Sequence, residues 1–139
     1  MSDYKYSEQI SSLHNCPPTN YSPQATDAYR FVYKSNPERS YIPVAKGNPK
    51  RINDRSDMKK CQAWGLSFFN TEENAIAKFE DLKRRNKNIA KTIGDSIALV
   101  KLEESDGVCS PVGEKGHFTL HERGESKFSE RNEVIKELS

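Results

Sequence analysis

The chain has 139 residues, the size of one ordinary domain, with 34% hydrophobic residues and a mean hydropathy of -0.89. No stretch approaches the about 20 apolar residues of a membrane span, and residues 1–8 hold no apolar signal-peptide core. Three cysteines (Cys16, Cys61 and Cys109) without CxxC spacing argue against a secreted disulfide scaffold. The expectation is a soluble cytoplasmic protein with reduced thiols and no membrane partner. Its core is modest, with six Phe, six Tyr and one Trp supplying much of the burial.

The formal net charge of +2 hides an asymmetry. Residues 45–60 carry six cations (Lys46, Lys50, Arg51, Arg55, Lys59, Lys60) against Asp54 and Asp57. Residues 83–91 carry five (Lys83, Arg84, Arg85, Lys87, Lys91) and no acid. If the two windows meet in space, they form a surface for a phosphate-bearing partner.

Taken in chain order, residues 1–26 read as an irregular or partly ordered lead-in. Pro17, Pro18 and Pro23 remove donors and restrict the residues before them. Residues 27–139 then form one domain. Residues 29–34 alternate as a strand, with Tyr29, Phe31 and Tyr33 on one face and Arg30, Val32 and Lys34 on the other. Residues 41–44 read as a short edge strand around Pro43. Residues 45–60 read as a mobile polar loop, with at most a helical turn near residues 55–60.

Residues 64–69 are a near-continuous apolar run, the pattern of a central strand covered on both faces. A helix follows, with Asn70 as N-cap and Glu73 completing a capping box. Ala75, Ile76, Phe79 and Leu82 form its apolar face, and the helix ends at Asn86 or Asn88. Residues 95–102 are another strand, residues 103–107 a turn through Asp106-Gly107, and residues 108–112 a brief strand. Residues 116–122 alternate again, and Ser129 opens a C-terminal helix with Val134, Ile135 and Leu138 inward. The order predicts an α+β fold: a twisted, mainly antiparallel sheet of four to six strands with one or two packed helices.

The candidates for chemistry are few. His117, Thr119 and His121 share one face of their strand, and Glu122 closes it; imidazole there suits acid–base or phosphate contacts. His117-Phe118-Thr119 is one HxT element, but the second element of a two-histidine phosphoesterase is missing. A zinc site can be imagined from His14, Cys16, Cys61, Cys109, His117 and His121, but their spacing argues against it and no metal site is expected. His14-x-Cys16 is too tight for a ligand pair, and His117 and His121 would stand roughly 13 Å apart along a strand. Cys61 follows Lys59-Lys60, yet an inert thiol is the expected state. Glycine fingerprints for phosphate or dinucleotide loops are absent.

Tyr29-Arg30 on an early strand, then Leu66-Ser67-Phe68-Phe69-Asn70-Thr71 with Ala75 in the next helix, resembles the layout of compact ADP-ribosyltransferase-like domains. These include RES-type NAD-consuming toxins and RNA 2′-phosphotransferases. The resemblance implies NAD as cofactor, with Arg30 holding it and Ser67 supporting its ribose. Glu122 or His117 would stabilise the oxocarbenium-like transition state. The match is at the level of dipeptides, and no Glu-x-Glu or Gln-x-Glu turn is present.

Two classes of function therefore stand side by side. The first is a binding module without a cofactor that recognises a nucleotide or nucleic acid. Its contacts would be Lys46, Lys50, Arg51, Arg55, Arg84 and Arg85, with Tyr41, Trp64 and His121 alongside. The second is a small NAD-using enzyme built on Arg30, Ser67, His117 and Glu122. The binding reading leads, because positive charge is a property of the sequence itself whereas the catalytic set depends on contacts in space. An accessory protein that recognises another protein is the third option.

Overall fold

The computed structural model describes residues 4–124 and 126–138. The first three residues of the expected lead-in therefore lie outside the described residues. Six strands are formed among those described: β1 (Thr26–Val32), β2 (Leu66–Phe69), β3 (Ser96–Leu102), β4 (Gly107–Cys109), β5 (His117–Glu122) and β6 (Glu133–Glu137). All pair antiparallel in one sheet, in the order β4-β5-β2-β1-β3-β6. The helices are α1 (Ser7–Ile10), α2 (Val44–Gly47), α3 (Asp57–Ala63), α4 (Glu72–Arg85), α5 (Ile89–Ile93) and α6 (Phe128–Arg131). The fold is α+β, as the element order predicts. None of the described helices is long and apolar enough to cross a membrane.

Strand alternation gives the sheet two apolar faces. On one, Ala28, Val32, Leu66, Phe68, Ala98, Val100, Phe118 and Leu120 join Tyr41 and Phe128 in the main core. On the other, Phe69 and Ile97 pack with Ala75 of α4, flanked by Tyr29, Phe31 and Ile76. The two faces are stitched by register. Tyr29 sits opposite both Phe69 and Leu99, and Phe68 sits opposite Phe118 with ring centroids 5.8 Å apart.

Several elements differ from the sequence expectation. The cap of α4 is Thr71, whose hydroxyl accepts the Asn74 N–H at 3.0 Å; Asn70 instead accepts the Asn74 side-chain amide. Residues 41–44 make no strand. A 3-10 turn (Arg39–Tyr41) leads into α2, because Pro43 cannot donate to a ladder and its fixed φ suits the residue before a helix. Residues 45–60 are a run of short helical turns rather than a loop: α2, a 3-10 turn (Pro49–Ile52) and α3, which Ser56 caps by accepting the Lys59 N–H.

The C-terminal helix is corrected to the short α6 followed by strand β6. Here the free edge of β3 offers ladder partners that an isolated amphipathic turn lacks. Val134 sits opposite Ala98 and Lys136 opposite Ile97, so Ile135 is the extra residue of a bulge. Val134 then joins the main core and Ile135 the α4 face.

A further correction concerns the thiols: Cys16 and Cys61 form a disulfide, and only Cys109 is free and buried. The N-terminal segment is anchored accordingly. The Lys5 N–H donates to the Glu122 carbonyl at 2.9 Å, Ser22 exchanges backbone bonds with Cys109, and Ile10 is buried.

Candidate functional site

A cleft of about 910 Å³ opens on the sheet face opposite the main core, beyond the edge covered by α4. That volume lies in the range of small-molecule sites. Alternation explains its floor. Leu66 and Phe68 of β2 and Phe118 and Leu120 of β5 point to the core, so Ser67, His117 and Thr119 point the other way. Ser67 sits directly opposite Thr119, and Gly65 begins the floor. A Cβ at Gly65 would lie 2.5 Å from the Thr119 methyl, so only glycine lets β2 start this close to β5.

Three walls rise from the floor. One is the turn after α2 together with α3, contributing Arg51, Ile52, Arg55, Asp57, Met58, Lys59 and Gln62. The second is the N-terminal segment, contributing His14, Asn15, Pro18, Asn20 and Tyr21. The third is the loop with Ser110, Pro111 and Gly113. The Tyr21 hydroxyl bonds to Thr119 and Ser110, but burial of its ring still pushes its pKa above the usual phenol value.

The electrostatics of this lining are one-sided. Arg51, Arg55 and Lys59 are exposed cations, and Asp57 is the acid among the lining residues. The Asp57 carboxylate already accepts the His14 backbone N–H at 2.9 Å. His117 is held below the ordinary imidazole value by desolvation first and by Lys78 second, so it is neutral near pH 7.

The remaining residues singled out by sequence fall elsewhere. Arg30 and Glu122 leave the sheet on the main-core face, opposite Ser67 and His117, so the structure does not bring these four together. Arg30 donates to the Ser40 and Ser67 carbonyls at 2.9 and 2.8 Å, between the rings of Tyr41 and Phe68. Burial lowers its pKa, against Tyr41 and Glu122. Glu122 pairs with Lys5 at 3.1 Å through one oxygen; the other is buried without a hydrogen-bond partner. Burial raises the Glu122 pKa, and Lys5 opposes it.

Tyr41 is buried with its hydroxyl on Asn132 and its ring against Phe128, which leaves no face for a stacking base. Trp64 packs on Tyr6 at 5.3 Å, and Lys46 lies over that same Tyr6 ring. Lys50 is exposed outside the cleft. Arg84 and Arg85 both pair with Asp81, and Arg84 lines a separate cleft with Lys83, Lys87 and Lys136. The two basic windows therefore contribute to different clefts.

A third grouping brings together three residues whose sequence spacing argued against a shared site. His121 is buried against Tyr21, and its Nε2 lies 3.5 Å from the Cys61 sulfur. Burial pushes its imidazole down to about 4, opposed by a hydrogen bond with the Cys61 backbone. With Cys16 bonded to Cys61, three residues far apart in sequence meet beneath the cleft. Only the shared face of Thr119 and His121 signalled this; nothing in the spacing pointed to Cys16 or Cys61.

Comparison with protein-family models, with curated proteins and with solved structures gave no match.

Proposed function

We propose that the cleft over β2 and β5 binds a small phosphate-bearing ligand of the nucleotide class. The observation that carries this reading is the wall of Arg51, Arg55 and Lys59 facing a floor of hydroxyl groups, with its one acid already engaged. Guanidinium groups bind phosphate oxygens in a two-pronged fashion, and the neutral His117 and the exposed Ser67 hydroxyl suit sugar or base edges. The half-buried ring of Tyr21, packed on His121 at 5.8 Å, is the phenol ring among the lining residues and offers its remaining edge to a base. A cytoplasmic setting, where nucleotides are abundant and the Cys16–Cys61 pair would be held reduced, belongs to this reading.

A thermal-shift screen of the purified protein with pyrophosphate, ATP, NAD and a short single-stranded oligonucleotide tests it. A nucleotide at about 100 times its dissociation constant stabilises the fold by about 2.7 kcal/mol, a clear rise in melting temperature. The expected result is a rise with at least one mononucleotide, and no rise for the Arg51→Ala/Arg55→Ala variant. Absence of any shift, or a shift unaltered in that variant, overturns the proposal. A rise with the oligonucleotide alone, lost at high salt, would replace it with nucleic-acid binding.

A further inference from the structure

Two sulfur atoms and one imidazole nitrogen, from Cys16, Cys61 and His121, lie within 4.8 Å of one another. They come from three different pieces of chain: the N-terminal segment, α3 and β5. Two of the three, Cys61 and His121, are buried. We propose that the dithiol form of this cluster is a binding site for a soft divalent cation, with zinc the fitting one, and that the disulfide and metal-bound forms are alternative states of the protein.

The donor set carries the first part. Two thiolates and a neutral imidazole are the ligands zinc takes, and hard cations such as magnesium or calcium do not use them. The geometry carries the second. A tetrahedral zinc with ordinary bond lengths places a sulfur and a nitrogen ligand about 3.6 Å apart, and two sulfurs about 3.8 Å apart. The Cys61 sulfur and His121 Nε2 already stand 3.5 Å apart. Opening the disulfide lets the two sulfurs separate toward the second distance. Cys16 lies between regular elements, so the adjustment falls on the N-terminal segment while α3 and β5 keep their places.

The electron count closes. A dithiol reductant gives two electrons and two protons to the disulfide, leaving two protein thiols and becoming a disulfide itself. Zinc then displaces both thiol protons and takes the imidazole lone pair, leaving a fourth position for water. Cys109 takes no part. It sits opposite Leu120, in the main core on the other sheet face, where burial pushes its thiol up to about 11.

The test is a cobalt titration of the whole chain, anaerobic, before and after reduction with a phosphine (which takes up the oxygen of one water). The reduced protein should bind one cobalt per chain with a near-ultraviolet thiolate charge-transfer band, and zinc should displace it. The oxidised protein should bind none. Cys16→Ser and His121→Asn should each weaken binding at least tenfold, and Cys109→Ser should leave it unchanged. The proposal fails if the reduced, folded protein shows no thiolate–cobalt band. It fails equally if both ligand variants bind as well as the parent. Where reduction unfolds the chain, zinc must restore a cooperative melt, and failure to do so also overturns the proposal.

Discussion

Asp106 shows how much structure one side chain can hold. Its carboxylate takes both Arg131 nitrogens, at 2.6 and 2.8 Å, and the Glu103 N–H at 2.7 Å. Its carbonyl accepts from Arg123 N–H and the Ser126 hydroxyl. The carboxylate is nearly buried, so Arg131→Met leaves a charge without its counterion and should cost about 3 kcal/mol. Urea unfolding at pH 7 reads this, and a loss below about 1 kcal/mol would contradict it.

Tyr41 gives a pH dependence at the same scale. Burial pushes its phenol up to about 12, against the pull of Arg30. In the unfolded chain the phenol ionises near its ordinary value of about 10. Between those values the folded state keeps a proton that the unfolded state has lost, so stability is full below pH 10 and falls as pH rises toward 12. Tyr41→Phe should cost about 1 kcal/mol at pH 7, by loss of the Asn132 bond, and flatten the alkaline decline. Unfolding curves from pH 7 to 11 would show an unchanged decline if this account is wrong. Arg30 marks the limit of sequence reasoning here. Alternation placed it correctly on the face with Val32, but only the fold shows Tyr41 and Phe68 closing over it.

Elements with one dominant local signal were legible. The apolar run of β2, the alternation of β5 and the apolar stripe of α4 appear where periodicity puts them, and β1 keeps its expected faces but runs over Thr26–Val32 rather than 29–34. Elements decided by distant partners were not. The spacing of Val134, Ile135 and Leu138 fits a helix, and only the open edge of β3, with a bulge at Ile135, makes it a strand. Likewise α3 is pinned by the Cys16–Cys61 bond and by His14 on Asp57, neither visible in local sequence.

The position of the α4 cap is a test at this scale. Thr71→Ala should destabilise the protein by about 1 kcal/mol, and Asn70→Ala by less, because the Thr71 hydroxyl receives the backbone N–H. A larger loss for Asn70 would return the cap to the sequence-based position. Breaking the disulfide, which closes a loop across a sequence separation of 45, should cost about 2–4 kcal/mol. Thermal melts of Cys16→Ser in metal-free buffer measure it, and an unchanged melting temperature would show the N-terminal segment to be held by its backbone bonds alone.

Across the whole molecule, the sheet acts as a partition. Arg30 and Glu122 belong to the main-core side, while Ser67, His117 and Thr119 belong to the cleft side. The positive charge is partitioned too: Arg51, Arg55 and Lys59 line the cleft, and Arg84, Lys83 and Lys87 line another. Composition revealed the amount of charge in each window but not that the windows would face different hollows. The polar strand face was also readable, yet its role as a cleft floor depends on the N-terminal segment and α3 walling it in.

The most direct test of the account is therefore a calorimetric titration of a nucleotide triphosphate into three proteins: the parent, Arg51→Ala/Arg55→Ala and Arg84→Ala/Arg85→Ala. The account predicts binding by the parent that weakens with salt, at least a tenfold loss in the first variant, and parent-like affinity in the second. A loss confined to the second variant, or equal affinity in all three, would contradict it.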